Sequence, residues 1–207
     1  MMYLFSNSNR DGVINMPMLE FDIVAKELEI SGYDLLLFTS KNSVYIIDDI
    51  SQSWKNIPSI AIGEESAKVI SKLGGNVALA SSGYSRDLAL QIKEKFTNKK
   101  ILYIRPKVVA TDHMINLSQE GIAMNEVVLY DTVCKKYDIS QKPSPGSVLI
   151  FTSPSTINCF IDNFNSLNGY KIVVIGTTTA NALPCNIKYT MPKIPKIDEC
   201  IKVAKEL

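Results

Sequence analysis

The sequence predicts an α/β protein made of two similar parallel-sheet lobes joined by a two-stranded antiparallel β hinge. Three observations carry this. Short apolar runs alternate with helix-patterned segments along most of the chain. Two strand-to-helix junctions recur at a constant spacing: FTSKNSV from Phe38 and FTSPSTI from Phe151, then IGEESA from Ile62 and IGTTTA from Ile175, 113 residues apart in both cases. The first copy also has a fourth strand, ILYIRP, which nothing after the second copy matches, while the chain opens on a spare strand, MYLFS.

The elements follow in order. DLLLFTS from Asp34 is too short for a helix and apolar enough for a buried strand, and KNSVYIIDDI after it can hold a helix. PSIAIG is the next strand. In EESAKVISKLGG, Ala67, Ile70 and Leu73 fall at helical spacing and Gly74-Gly75 supplies the stop. NVALAS is a third strand. SRDLALQIKEKF is a helix with Ser85 as N-cap and Leu88, Ile92 and Phe96 on one face. KILYIRP is a strand ended by Pro106, and TDHMINLSQEG a helix capped by Thr111 or Asp112 and stopped by Gly121. KKYDISQKPSPGS reads as a linker by composition. The alternation then restarts with SVLIFTS, the helix PSTINCFIDNF with Pro154 in its first turn, the strand KIVVIG, the helix opening TTTANAL, the strand NIKYTMP and the closing helix PKIDECIKVAKEL.

If MYLFS completes the sheet of the second copy, the first lobe is inserted into the second and the chain crosses between them twice. GVINMPMLEFDIV and NEVVLYDTV are the β-prone candidates for those crossings. The expected division is residues 1–12 with 136–207 as a discontinuous lobe, 13–25 and 125–135 as the hinge, and 26–124 as the inserted lobe, with a cleft between the lobes.

Composition narrows the function. The chain has 207 residues and a formal net charge of +1, so no strong field favours nucleic acid or a membrane surface. Its single histidine, His113, falls in a predicted helix, which leaves no histidine-based metal site and no Ser-His-Asp arrangement. Cys134, Cys159, Cys185 and Cys200 are scattered and read as buried free thiols, in keeping with a reducing cytosol. No signal peptide and no apolar stretch of about 20 residues is apparent. The glycines form neither G-x-G-x-x-G nor a P-loop.

The chemistry therefore rests on the repeated junctions. Ligands of open parallel sheets bind beyond the carboxyl ends of the strands. Thr39-Ser40, Gly63, Thr152-Ser153 and Gly176-Thr177-Thr178-Thr179 sit there, each leading into a helix whose free N–H groups favour an anion. Taken singly, each Ser or Thr reads more readily as an ordinary N-cap; the repeat favours ligand contact for the set, not for each member. Arg105 and Lys107 stand at a strand's carboxyl end, either to meet an anion or as solvated charges. Tyr130, on the expected hinge, has a phenol able to donate a proton; by pattern alone it packs on one lobe.

FTSKNSV, AIGEESAKVISKLGG, GYSRDLALQI, GIAMNEVVLYDTV, FTSPSTINCF and VIGTTTANAL, in this order, resemble the uroporphyrinogen-III synthase (HemD) family, from about Asp34 to Leu183 and again at the closing helix. The resemblance implies two flavodoxin-like α/β lobes on a two-stranded ladder. It implies an enzyme of haem and tetrapyrrole synthesis, a cyclising hydro-lyase working without metal or organic cofactor. The substrate is hydroxymethylbilane, a linear tetrapyrrole with eight carboxylates. The enzyme closes it with inversion of the last ring, ring D, through an azafulvene and a spiro intermediate. The family's Tyr-x-Thr-Val stretch reads YDTV here, which carries the assistance of hydroxyl loss to Tyr130. The matching cleft segments carry substrate contact to Thr39, Ser40, Lys41, Gly63, Ser82, Gly83, Arg105, Lys107, Thr152, Ser153, Ser155, Gly176, Thr177, Thr178 and Thr179.

Two departures stand out. The family's helix after the first strand is missing, since NSNRDGVI is all that separates MYLFS from the hinge. One face of that sheet is then expected to lie open or to be covered by a partner or the C-terminal segment. After ILYIRP the family's Gly-Arg-rich turn reads PKVVATD, so Lys107 stands in for a lost arginine. A cytoplasmic monomer acting on a small-molecule substrate, with no nucleic-acid or membrane partner, is the expectation. The alternative is a non-catalytic two-lobed module that binds a tetrapyrrole or another polyanion.

Overall fold

The computed structural model describes residues 1–82, 86–109 and 117–207, with only the backbone of Arg86 and Asp87. The expected caps Ser85, Thr111 and Asp112, the site residue Gly83, and His113 lie outside the described residues.

The chain opens with strands β1 (Met2–Phe5), β2 (Ile14–Asn15) and β3 (Leu19–Ile23). The first repeat runs β4 (Leu35–Phe38), α1 (Lys41–Ile50), β5 (Ser59–Ile62), α2 (Glu64–Lys72), β6 (Val77–Ser81), α3 (Arg86–Lys95), β7 (Ile101–Pro106) and β8 (Met124–Cys134). The second runs β9 (Val148–Phe151), α4 (Pro154–Phe164), β10 (Lys171–Val174), the single turn α5 (Thr177–Ala180), β11 (Tyr189–Thr190) and α6 (Ile197–Lys205). Two sheets of mostly parallel strands result, ordered β11-β10-β9-β1-β2 and β3-β8-β7-β4-β5-β6.

The duplication extends to register. Leu36 stands opposite Ser59 in the first sheet and Leu149 opposite Ile172 in the second, each partner shifted by the same 113 positions. β1 pairs with β9 as β7 pairs with β4, so the amino-terminal strand lies in the sheet of the second repeat.

The backbone divides into two compact units, residues 1–20 with 133–207 and residues 21–132. In the 21–132 unit, successive β4 side chains serve opposite faces, as the pleat requires. Leu36 and Phe38 meet Val44 and Ile47 of α1 and Val69 and Ile70 of α2, while Leu35 and Leu37 meet Leu88 and Ile92 of α3. Burial on both faces is why the strand reads as one continuous apolar run. In the other unit, Phe5, Leu149 and Phe151 pack on Ile157, Phe160 and Phe164 of α4, and Leu4, Val148 and Ile150 on Cys200, Ile201 and Ala204 of α6.

Three expectations need correction or completion. Residues 6–13 form no helix, yet the sheet face above them is closed, because α6 covers it and Leu4 is fully buried. Arg10 ties the turn to α6 through Asp198, Nε to Oδ1 at 2.8 Å. KKYDISQKPSPGS is no loose linker. The Tyr137 hydroxyl donates to Pro17 O at 2.7 Å, Lys142 Nζ to Phe164 O at 3.0 Å, and the Tyr170 hydroxyl to Pro143 O at 2.6 Å. The four cysteines are not uniformly buried free thiols either. Cys134, the last residue of β8, is bonded to Cys159 on the inner face of α4, with Cα atoms 5.3 Å apart. Cys185 is free and exposed; Cys200 is free and buried, and burial pushes its thiol up to about 11.

Candidate functional site

The junction after β4 is built by the start of α1. Ser40 is extended (φ −140°) and caps the helix, its Oγ accepting the Asn42 N–H at 3.2 Å. Such a cap satisfies one of the helix's unpaired donors. The same Oγ lies 3.1 Å from the Tyr130 hydroxyl, which β8 delivers from 90 residues away. Tyr130 is 2% exposed, and its ring stands edge-on to Phe21 with centroids 5.0 Å apart. The expected proton donor is therefore brought to the first junction, but beneath its surface. Thr39 Oγ1 lies 3.0 Å from the hydroxyl of Tyr103, a fully buried β7 residue that the sequence does not single out.

The junction after β9 repeats the plan with different bonds. Thr152 Oγ1 donates to Phe5 O of β1 at 3.0 Å. Both repeats thus use the FTS threonine to fasten the end of a central strand to its neighbour. Ser153 closes a full capping box with Thr156: Ser153 Oγ accepts the Thr156 N–H, and Thr156 Oγ1 accepts the Ser153 N–H, both at 3.3 Å. The residue 113 positions before Thr156 is Ser43. Its hydroxyl is buried and has no hydrogen-bond partner among the described residues. The repeat itself is the signal that could have found this pair. An unpaired buried hydroxyl is destabilising. Ser43→Ala is therefore expected to raise stability by about 1 kcal/mol, read as a higher denaturation midpoint at unchanged slope.

Gly63 and Gly176 differ in the same way. Gly63 caps α2 at φ +101°, a conformation that favours glycine, and its N–H donates to Ser81 O at 2.6 Å. Gly176 is extended and precedes only one helical turn, α5, in which Thr177 and Thr178 are exposed and Thr179 is buried. Lys41, Ser82 and Ser155 are exposed.

Arg105 and Lys107 already have partners. Arg105 grips Glu126 through both Nε (2.7 Å) and Nη2 (3.1 Å), and its Nη1 donates to Pro106 O and Lys107 O. Lys107 Nζ lies 2.8 Å from Asp131 Oδ2, a hydrogen bond that raises the lysine's pKa and holds the Asp131 carboxyl below its usual range. These pairs fasten β7 to β8 on either side of a register shift between Arg105 and Pro106. Lys107 thus braces the strand that carries Tyr130, its own N–H donating to Tyr130 O at 2.7 Å.

The two α/β units thus share capped helix starts at the carboxyl ends of their central strands. Residues 12–202 match the family described as uroporphyrinogen-III synthase HemD. The chain belongs to the uroporphyrinogen-III synthase family. It is also similar to the crystal structure of uroporphyrinogen-III synthetase from Helicobacter pylori 26695, at 26% identity and a TM-score of 0.80, over 99% of this chain and 98% of that one. Two structures of the Thermus thermophilus synthase are similar at lower scores. A mutant form of that synthase gives 11% identity and TM-score 0.49 over 94% of this chain and 89% of that one. Another structure gives 13% identity and TM-score 0.43 over 100% and 99%. No curated protein matches the sequence. Membership of the synthase family makes the chain an enzyme of porphyrin and haem biosynthesis of that kind. Among the described residues, no helix is long and apolar enough to cross a membrane.

Proposed function

We propose that the chain closes hydroxymethylbilane to uroporphyrinogen III with inversion of ring D, using the junctions after β4 and β9 to hold substrate carboxylates and the Ser40–Tyr130 pair to assist loss of the terminal hydroxyl. The observation that carries this reading is the 3.1 Å contact between Ser40 and Tyr130 at the first turn of α1. It places a phenol and a serine hydroxyl at the amino-terminal end of α1, whose dipole favours negative charge. The chemistry asks chiefly for orientation, because the bilane closes unaided to the uninverted ring. Holding the chain so that the substituted carbon of ring D attacks supplies most of the selectivity.

The anion contacts fall on the exposed side chains of Lys41, Ser155, Thr177 and Thr178. Thr39 and Thr152 serve the strands instead, and Arg105 and Lys107 serve the β7–β8 pair. β3 and β8 form the hinge. This is supported by the unit boundary falling within both strands and by their hydrogen bonds, Val24 N–H to Leu129 O at 3.0 Å and Lys135 N–H to Met18 O at 2.9 Å, whose residue numbers run in opposite directions.

The test is an isomer assay. Hydroxymethylbilane is generated in situ, the purified protein is added, and the oxidised products are separated by chromatography. Isomer III is expected to dominate, and only with the protein present. Isomer I alone, from protein shown to be folded, overturns the reading.

A further inference from the structure

We infer that Ser40, not Tyr130, presents the acidic hydroxyl to the substrate, and that Tyr130 is a positioning residue acting through it. This rests on the synthase reading above and assigns the reacting atom within that site.

The inference follows from counting donors and acceptors. Tyr130 is 2% exposed as a residue, and among the described residues the hydrogen-bond partner of its hydroxyl is Ser40 Oγ at 3.1 Å. Either oxygen can donate across this contact; Ser40 Oγ is the acceptor within reach of the phenolic proton among the described residues, so the proton is assigned to Tyr130 and Ser40 accepts. Ser40 Oγ also accepts the Asn42 N–H at 3.2 Å. A serine oxygen has two lone pairs and one proton. With both lone pairs occupied, only the proton of Ser40 is left to face outward, and Ser40 is half-buried where Tyr130 is closed off. Two inbound hydrogen bonds draw density from the oxygen and strengthen the outgoing one.

The second repeat serves as an internal control. There Ser153, at the position equivalent to Ser40, exchanges hydrogen bonds with Thr156 and closes its capping box. In the first repeat that exchange is absent. Ser40 has turned to Tyr130, and Ser43, the counterpart of Thr156, is left without a partner among the described residues. The unpaired Ser43 hydroxyl marks where one junction of a duplicated pair gave up a structural bond.

The step that this arrangement assists balances along the chain of hydroxyls. The carbon–oxygen bond of the substrate's hydroxymethyl group breaks, and its electron pair leaves with oxygen, which takes the Ser40 proton and departs as water. Ser40 Oγ takes the Tyr130 proton. The pyrrole nitrogen's electron pair fills the vacancy at carbon, and its N–H proton returns through Ser40 to Tyr130, leaving neutral azafulvene.

Steady-state formation of isomer III by four variants tests this. Ser40→Gly removes the hydroxyl while leaving a residue that is itself tolerated at the N-cap; thermal melting confirms the fold. Its kcat is expected to fall about 100-fold at little-changed KM, the size of a lost positioned acid. Tyr130→Phe is expected to lower kcat about 10-fold, the worth of one hydrogen bond. The double variant is expected to match Ser40→Gly alone, and Ser40→Thr, which restores a capping hydroxyl, to recover most of the loss. A further 10-fold fall on adding Tyr130→Phe to Ser40→Gly would show that Tyr130 touches the substrate itself, and full turnover by Ser40→Gly would remove Ser40 from the chemistry. Either result overturns the inference. Absence of isomer III from the folded wild-type protein instead overturns the synthase reading beneath it.

Discussion

Gly75→Ala is expected to destabilise the 21–132 unit by about 3 kcal/mol, the upper end of the usual cost of overpacking a core. A Cβ at Gly75 would stand 2.4 and 2.5 Å from two ring carbons of Trp54 and 3.0 Å from Ile70 Cγ2. The ring cannot swing aside. Trp54 is fully buried, its Nε1–H donates to Asp48 Oδ1 at 3.0 Å, and it forms a T-shaped pair with Phe38 at a centroid distance of 6.0 Å. Asp48 is in turn held by Lys55 Nζ at 2.8 Å. In a Trp54→Leu background the same substitution is expected to cost less than about 1 kcal/mol, because the atoms it strikes are gone. Urea denaturation of the four proteins measures the coupling, and equal costs in both backgrounds would refute it. The effect bears on function through α1, which Ser40 caps and which carries Asp48 near its other end. Loosening the Trp54 clamp frees the helix that positions the proposed reacting hydroxyl.

Sequence and structure meet most closely where the periodicity is short. The apolar runs of β4, β5, β9 and β10 are legible because burial on both faces leaves no polar alternation. The repeat is legible because two junctions share one offset, and the register pairs Leu36–Ser59 and Leu149–Ile172 keep that offset in three dimensions. What the sequence hid is the use of each hydroxyl and charge. Thr152 is a helix-end threonine by pattern, yet its partner is the backbone of Phe5, 147 residues away. Arg105 looks available for an anion until Glu126, on the next strand, arrives from 21 residues away. Tyr130 carries a proton by family resemblance, but its burial and its dependence on Ser40 emerge only once β8 lies beside the start of α1. Such pairings depend on which strands become neighbours, and composition and spacing do not encode that directly.

Cleaving the Cys134–Cys159 bond is expected to have the other large effect. The bond joins the end of β8 to the middle of α4 and closes a span of 25 residues that includes all of β9. In the chain-entropy account, closing a loop of that size restricts the unfolded chain by about 3 kcal/mol. Air-oxidised protein is therefore expected to lose about 3 kcal/mol on reduction, and its melting temperature to fall by roughly 6–12 °C for a chain of this size. Cys159→Ala with Cys134→Ala should reproduce the loss without reductant. Thiol titration checks the pairing separately. Unreduced protein should show one fast thiol when folded, Cys185, because Cys200 is buried and held protonated. The same protein should show two thiols in denaturant and four after reduction. Four thiols in denaturant without reductant would mean that the bond is absent, and an unchanged melting temperature on reduction would mean that the packing of Cys134 and Cys159 at the end of β8 suffices alone. The bond also sits four residues beyond Tyr130 on the same strand. Reduction is thus expected to lower stability while leaving the Ser40–Tyr130 contact in place, because Lys107 and Arg105 fasten that part of β8 to β7 independently.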